Sequence, residues 1–194
     1  MKRIVYATYD EEGVIVYQAF KPEIVKVAVE KGTFGKGFGF ERTSWIKPSF
    51  AWTLRRSNFA TKNRMQAIAQ IKITHSAFIE ILSQSVETHY NPEVFQSELE
   101  WKDEFDKSKV IHQWDPERDL TGRKLERQAI QIGLRQEILK DYVDKYIIDV
   151  QDVTHIAHEI REVVKSKKGS FPEVPLEKEY DLNTELFSKL GCNK

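Results

Sequence analysis

The sequence predicts an α+β fold: a single domain with an N-terminal β-hairpin and a mixed or split antiparallel sheet flanked by helices. Two β-branched and aromatic segments, RIVYATY and VIVYQAF, flank a DEEG turn near the N-terminus, as in a hairpin. Later strands and helices follow no regular βαβ rhythm, which disfavours a doubly wound sheet. A composition of 40% hydrophobic and 31% charged residues in 194 residues is typical of a globular protein.

The first half of the chain carries clear helix signals between its strands. Pro22 can begin a helix that Gly32 ends, and Pro48 suits the first turn of another. Thr74 can cap a helix that follows an alternating strand. The predicted order is strand 3–9, turn 10–13, strand 14–20, helix 22–31, helix 49–57, strand 67–73 and helix 75–84.

The second half predicts more strands, separated by polar connections. Asp152 or Thr154 can start the last long helix. The predicted order is an acidic connector with a short helix at 91–105, strand 109–114, polar loop 114–126, strand 127–134, helix 135–145, strand 146–150 and helix 155–165. From about Lys167 the pattern weakens. We therefore divide the chain into one α+β domain, 1–166, and an acidic, partly ordered C-terminal tail, 167–194.

Composition also indicates the compartment. No apolar run approaches the roughly 18 residues that a membrane span requires, and the N-terminus lacks the long apolar region of a secretory signal. Cys192 is the single cysteine, so an intramolecular disulfide is excluded. We expect a cytoplasmic protein in a reducing compartment, without a membrane partner.

The most informative segment runs from Arg42 to Lys72, because it contains no Asp or Glu although the whole chain is formally neutral. A segregated positive field of this kind suits an anion, and aromatic faces suit bases. Its cations are Arg42, Lys47, Arg55, Arg56, Lys62, Arg64 and Lys72, interleaved with Trp45, Phe50, Trp52 and Phe59.

A helix from Pro48 would place Ser49, Trp52 and Arg56 along one face, with Lys47 at its amino end. An arginine can bind a phosphate through two hydrogen bonds, and a serine hydroxyl can add another. The predicted phosphate or nucleotide site comprises Arg42, Trp45, Lys47, Ser49, Trp52, Arg56 and Lys62. The alternative is that the aromatic residues fill the core and the cations form a solvated face.

A second group, HQWDPERD, places a histidine, the carboxylates Asp115 and Glu117 and an arginine together after a strand. His112 titrates near neutral pH when unperturbed, as general acid–base catalysis requires, and Pro116 stiffens the expected turn. The candidate catalytic residues are His112, Asp115, Glu117 and Arg118. The alternative is a structural turn in which Asp115 caps the bend and Glu117 pairs with Arg118.

Three further patterns allow weaker interpretations. The glycine-rich stretch GTFGKGFGF lacks the P-loop ending and the dinucleotide spacing, so it is either a flap that buries phenylalanines or a ligand-contacting loop. Gln128 and Gln131 either present amides to a ligand or line a solvated strand face. His155 and His158 share a helix face without a third ligand, so we predict no metal site.

Four motifs resemble an uncharacterised family, domain-of-unknown-function family 4291: YQAFKPEI, W-I-K-P-S-F-x-W-x-x-x-R-S, W-D-P-E-R and A-I-Q-I-G-L-R. The resemblance covers roughly residues 3–165 and implies one domain but no activity. The run from Trp45 to Ser57 is its most specific part.

An early strand that leads directly into a helix, followed by a glycine-rich stretch, resembles ADP-ribosyltransferase-like enzymes. Those enzymes commonly carry His or Arg on the early strand, where this chain departs from them with Tyr17 and Gln18. Glu117 and Glu126 are the candidates for their late acidic residue, although neither lies in a matching motif. The resemblance implies NAD as a candidate cofactor. The leading hypothesis is a transferase that processes a nucleotide or nucleic acid. The alternatives are a non-catalytic nucleic-acid-binding module and a protein-interaction domain, and the oligomeric state stays open.

Overall fold

The structure, a computed structural model, describes residues 1–193 and confirms the predicted α+β class. Within these residues the strands are β1 Lys2–Arg3, β2 Tyr6–Ala7, β3 Gly13–Phe20, β4 Ser44–Ile46, β5 Ala67–Thr74, β6 Ser85–Glu87, β7 Val110–Arg118, β8 Lys124–Leu134, β9 Ile147–Asp152 and β10 Lys178–Glu179.

The helices surround these strands and vary from six to thirteen residues. They are α1 Pro22–Lys31, α2 Phe50–Arg56, α3 His75–Ser83, α4 Glu98–Lys107, α5 Gln136–Asp141 with its π-helical continuation Tyr142–Tyr146, α6 Thr154–Ser166 and α7 Thr184–Lys189. Within residues 1–193, none of them combines the length and the apolar character that crossing a bilayer requires.

Two main sheets form the core. The larger is a mixed sheet ordered β1-β8-β7-β6, with β4 pairing antiparallel to one end of β8. The smaller is antiparallel and ordered β3-β5-β9. They meet at Tyr17 and Lys47, whose backbone groups bond reciprocally, with N···O distances of 2.7 and 3.2 Å. Lys47 therefore lies where the two sheets join.

The predicted N-terminal hairpin is much shorter than the sequence pattern indicated. Ile15 N donates to Thr8 O at 2.8 Å beside the turn, but β1 then pairs with β8 and β2 with β10. Strand β3 pairs along its full length with β5 instead. Both faces of β3 are apolar and buried, so burial between two layers decides its pairing.

The predicted polar loop at 114–126 is wrong, because most of it extends the β7–β8 hairpin. Pro116 is tolerated there because the register shifts between Pro116 and Arg118, and proline is compatible with a bulge. The actual turn is held by Asp119, whose Oδ1 accepts from Thr121 N and Arg123 N. The candidate residues 112–118 thus lie on a strand.

The segment beyond residue 167 contacts the core at several points. Strand β10 pairs with β2, and Leu186 and Leu190 are buried. Trp114 Nε1 donates to Leu190 O at 2.9 Å, and Phe50 N donates to Glu177 Oε1 at 2.8 Å. The division near residue 166 stays a prediction, while these contacts tie the segment to β7 and α2.

Gly133 sets the close approach of β4 to the mixed sheet. A Cβ there would lie 2.7 Å from Thr43 Cγ2 and 2.9 Å from Ile111 Cγ1. We expect Gly133→Ala to reduce the free energy of unfolding by about 1–2 kcal/mol, since overpacking forces neighbours off their rotamers. Urea denaturation measures the loss, and Gly39→Ala, whose Cβ meets only Arg42 Nε at 3.9 Å, is the matched control. Equal stability of the two variants would contradict this packing.

Candidate functional site

A cavity of about 920 Å³ opens between the two sheets, and we call it the cationic cavity. Its lining includes five cations, two carboxylates, two indole rings and three glutamine amides. These residues are Lys21, Arg42, Lys47, Arg56 and Arg64; Glu23 and Asp115; Trp45 and Trp52; and Gln18, Gln113 and Gln131. Five of the seven residues predicted to bind phosphate or nucleotide therefore line one cavity.

Helix α2 positions two of these residues. Ser49 caps it, its Oγ accepting from Trp52 N at 3.1 Å. Trp52 and Arg56 are four residues apart and lie on the same helix face, as predicted. Ser49 itself is buried and donates its hydroxyl to Glu117 Oε1 at 2.8 Å, so it supports the helix instead of lining the cavity.

The rim cations are free to bind a ligand. Arg42, Arg56 and Arg64 are exposed, and no carboxylate within residues 1–193 forms an ion pair with them. Lys21 instead lies 3.7 Å from Glu23. Lys72, the last cation of the acid-free segment, pairs with Asp10 and Glu12 elsewhere.

Lys47 lies in the wall of the cavity and is only 8% exposed. Its Nζ is 3.4 Å from Trp45 O and 4.9 Å from the centroid of the Trp52 ring. Burial lowers the pKa of Lys47 from 10.5 to about 7; the Arg56 charge lowers it further and Asp115 opposes the shift. The cavity thus holds an amine whose pKa lies well below the usual lysine range.

Asp115 projects from β7 into the same cavity. Its carboxylate accepts from Gln131 Nε2 at 2.6 Å and from Gln113 Nε2 at 3.1 Å. Burial raises the pKa of Asp115, while these bonds and the nearby Lys47 and Arg56 act in the opposite direction. The two amides fix a carboxylate that can exchange a proton with a neighbouring group.

The sequence left open whether the β8 glutamines Gln128 and Gln131 face a ligand, and in the structure only one of them lines the cavity. Gln131 lines the cavity and orients Asp115. Gln128 instead accepts from Arg3 Nε at 2.9 Å, away from the cavity. Because an odd spacing of residues reverses the face of a strand, only one of the two can face the ligand.

Gln18 is a site residue that local sequence patterns do not reveal. It is buried, and its Nε2 donates to Ser44 Oγ at 2.9 Å and to Trp45 O at 3.1 Å. Its Oε1 accepts from Tyr142 OH at 3.0 Å. Since these bonds join β3, β4 and the π-helical turn, Gln18 holds Trp45 at the cavity wall.

A shallower groove of about 390 Å³ adjoins the cavity. It shares Trp52, Arg56 and Asp115 with the cavity and adds Lys62 and Arg118. Arg118 Nη1 donates to Gly122 O at 3.2 Å, at the hairpin turn. Lys62 and Arg118, the predicted site cations that do not line the cavity, thus extend its positive surface into the groove.

Glu117 lies near the amino end of α2, where it is buried. Its Oε1 accepts from Ser49 Oγ and, at 2.7 Å, from Arg118 N. Burial raises its pKa, and the hydrogen bonds of Arg118 and Ser49 oppose the shift. These contacts give Glu117 a positioning role for the helix, although the sequence grouped it with catalytic candidates.

His112 lies outside the cavity, on the opposite face of β7 from Asp115. It is fully buried, and its Nδ1 is 3.0 Å from Ser85 Oγ. Burial, followed by the charge of Arg3, lowers the pKa of His112 to about 3. His112 is therefore separated from the cavity, and its catalytic assignment stays a prediction.

The glycine-rich stretch buries two of its three phenylalanines and lines the cavity with one glycine. Phe34 and Phe38 are buried and stacked with their centroids 4.4 Å apart, whereas Phe40 is exposed. Gly37, with a φ of 91°, lines the cavity. The phenylalanines anchor the segment and its backbone closes one side of the site.

No group of three or more potential metal ligands occurs among the described residues. A search of curated proteins found no match to this chain. The sequence profile described as Domain of unknown function (DUF4291) matches residues 4–180, which include every residue that lines the cationic cavity. The chain therefore belongs to the DUF4291 family.

Proposed function

We propose that the cationic cavity binds the phosphates of a nucleotide, or of the nucleotide end of a nucleic acid, and that the protein is a transferase acting on this substrate. The supporting observation is the convergence of unpaired arginines, a buried lysine and two indoles on one concave site. Arginine suits phosphate geometry, and indole faces suit bases. Fixed cations would also stabilise charge that develops on phosphate oxygens.

The order of elements supports an ADP-ribosyltransferase-like form of this proposal. Strand β3 leads directly into α1, and Gln18 of β3 lines the cavity. NAD carries two phosphates and two aromatic bases, so it belongs to the ligand class that the cavity suits. It is therefore included among the candidate ligands tested below.

We expect Arg56→Ala to weaken nucleotide binding about 10–100-fold, because hydrogen bonds to charged groups contribute about 1.5–3 kcal/mol. Thermal unfolding against NAD and nucleoside mono-, di- and triphosphates identifies the ligand, since a ligand at 100 times its dissociation constant contributes about 2.7 kcal/mol. Titration of the variants with that ligand measures the loss. Lys165→Ala, at an exposed cation on α6, is the matched control. Unchanged affinity of Arg56→Ala would contradict the phosphate assignment.

The adjoining groove favours a second candidate, a non-catalytic module that tracks a nucleic-acid backbone. Arg55, Lys62 and Arg118 extend the positive surface away from the cavity. Backbone binding weakens steeply with salt because each contacted phosphate releases counterions. A steep dependence that Lys62→Ala reduces would support this module, and a shallow one would support the nucleotide site.

A further inference from the structure

We propose that Lys47 is the nucleophile of this transferase, and that its amine accepts a nucleotidyl group from a nucleoside triphosphate held in the cationic cavity. The inference rests on the proposed nucleotide site and names its substrate class and its covalent step. It assigns a catalytic role to a residue that the sequence interpretation treated only as a phosphate-binding cation.

The position of Lys47 distinguishes it from an ordinary phosphate-binding lysine. Its side chain is buried at the junction of the two sheets, and no carboxylate within residues 1–193 lies within ion-pair distance. The Trp52 ring covers its ammonium at 4.9 Å. The site removes the Lys47 side chain from water and holds it near the positive charge of Arg56, which is unfavourable for a lysine whose only role is its charge.

The surroundings favour the neutral amine, which is the nucleophilic form. Burial and the positive charge of Arg56 both lower the pKa of Lys47. Activation of a lysine by desolvation and by a second cation is an established route to a nucleophile. The exposed rim arginines can meanwhile bind phosphates without competing for the position of the amine.

The charge and the rings of the cavity select among the electrophiles that a lysine can attack. A phosphorylated aldehyde would form an imine, but it carries one phosphate and no base. The cavity instead presents several cations and two indoles, Trp45 and Trp52. This combination matches a polyphosphate joined to a base better than a sugar phosphate.

The proposed step balances as follows. The Lys47 nitrogen forms a bond to the α-phosphorus while the bond from that phosphorus to the bridging β-oxygen breaks, and the electron pair leaves with pyrophosphate. The attacking nitrogen loses one proton, which passes through solvent in the open cavity to Asp115, because that carboxylate lies beyond ion-pair distance of the amine. Both residues line the same cavity, and the raised pKa of Asp115 suits a proton acceptor. A second substrate would then take the nucleotidyl group from the nitrogen.

The test incubates the full chain with each of the four ribonucleoside triphosphates and Mg²⁺, then denatures it and measures its intact mass. We expect a gain of one nucleoside monophosphate that is acid-labile, as a phosphoramidate is. It should retain label from the α-phosphate but not from the γ-phosphate, and peptide mapping should place it on Lys47. Thermal unfolding with the same nucleotides measures binding separately.

Lys47→Met should fold and form no adduct, whereas Lys26→Met, at an exposed lysine of α1, should form it normally. Transfer of the γ-phosphate to Lys47, an adduct on another residue, or no adduct with a triphosphate that stabilises the protein would each overturn the nucleophile assignment. The nucleotide site would survive those results. Failure of every nucleotide to bind would overturn both proposals.

Discussion

Replacing Lys47 by methionine should make the protein more stable and at the same time abolish the nucleotidyl adduct that we propose for this residue. The folded state lowers the pKa of Lys47 from 10.5 to about 7, so it disfavours the proton that the unfolded chain retains. One pKa unit corresponds to about 1.4 kcal/mol, and we expect a gain of about 2–4 kcal/mol below pH 7. Methionine has a similar length and fills the space beside Trp52 without a charge.

The pH dependence of the free energy of unfolding distinguishes the titration of Lys47 from an effect of packing alone. A depressed lysine pKa means that the native state binds fewer protons than the unfolded state between about pH 7 and 10.5. Wild-type stability contributed by this group therefore rises with pH through that window. The advantage of Lys47→Met should be full below pH 7 and fade towards pH 10.5. Trp45 O keeps its bond from Gln18 Nε2, so no backbone acceptor is left unpaired.

Urea denaturation at pH 6 and pH 10 measures this difference. Lys165→Met, at an exposed lysine, should change stability little at either pH. A Lys47→Met protein that is less stable than wild type at pH 6 would contradict the assigned environment of the amine. A variant is expected to gain stability and lose function where a site keeps a destabilising group because its chemistry requires that group.

Sequence patterns succeeded where they depended on local physics. Four of the seven cations between Arg42 and Lys72 line one cavity, because residues close in sequence around a short strand and helix lie close together. The capping of α2 by Ser49 and of α3 by Thr74 agrees with their predicted starts to within a residue. The α+β class is confirmed for a similar reason, because the spacing of apolar residues along a strand or a helix follows from which of its faces is buried.

The errors arose where distant residues decide the outcome. Pro116 predicted a turn, yet a bulge lets it stay within β7 opposite Gln128. Nothing near His112 in the sequence shows that other elements cover its face of β7, and its catalytic assignment stays a prediction. Gln18 and Glu177 act through Tyr142 and Phe50, which are more than a hundred residues away. Partners at such separations leave no local signal.

Glu177 should make the stability of the protein fall as pH rises from about 4.5 to 7. Burial, followed by the negative charge of Glu117, raises the pKa of Glu177 from 4.5 to about 7. The bond from Phe50 N to its Oε1, at 2.8 Å, opposes the shift without cancelling it. The folded state therefore binds more protons than the unfolded state in this window, and ionisation costs stability.

Glu177→Gln should remove this loss, since the amide oxygen can still accept from Phe50 N but carries no charge. We expect the variant to gain about 1–3 kcal/mol over wild type at pH 8 and almost nothing at pH 4. Urea denaturation at both pH values measures the change, with Glu173→Gln, at an exposed position of the same segment, as the control. A variant that is destabilised at pH 8 would show that the ionised carboxylate is favourable at α2. Because the effect of Lys47→Met fades between about pH 7 and 10.5 and that of Glu177→Gln grows between about pH 4.5 and 7, the two curves also separate the contribution of the cavity from that of the C-terminal segment.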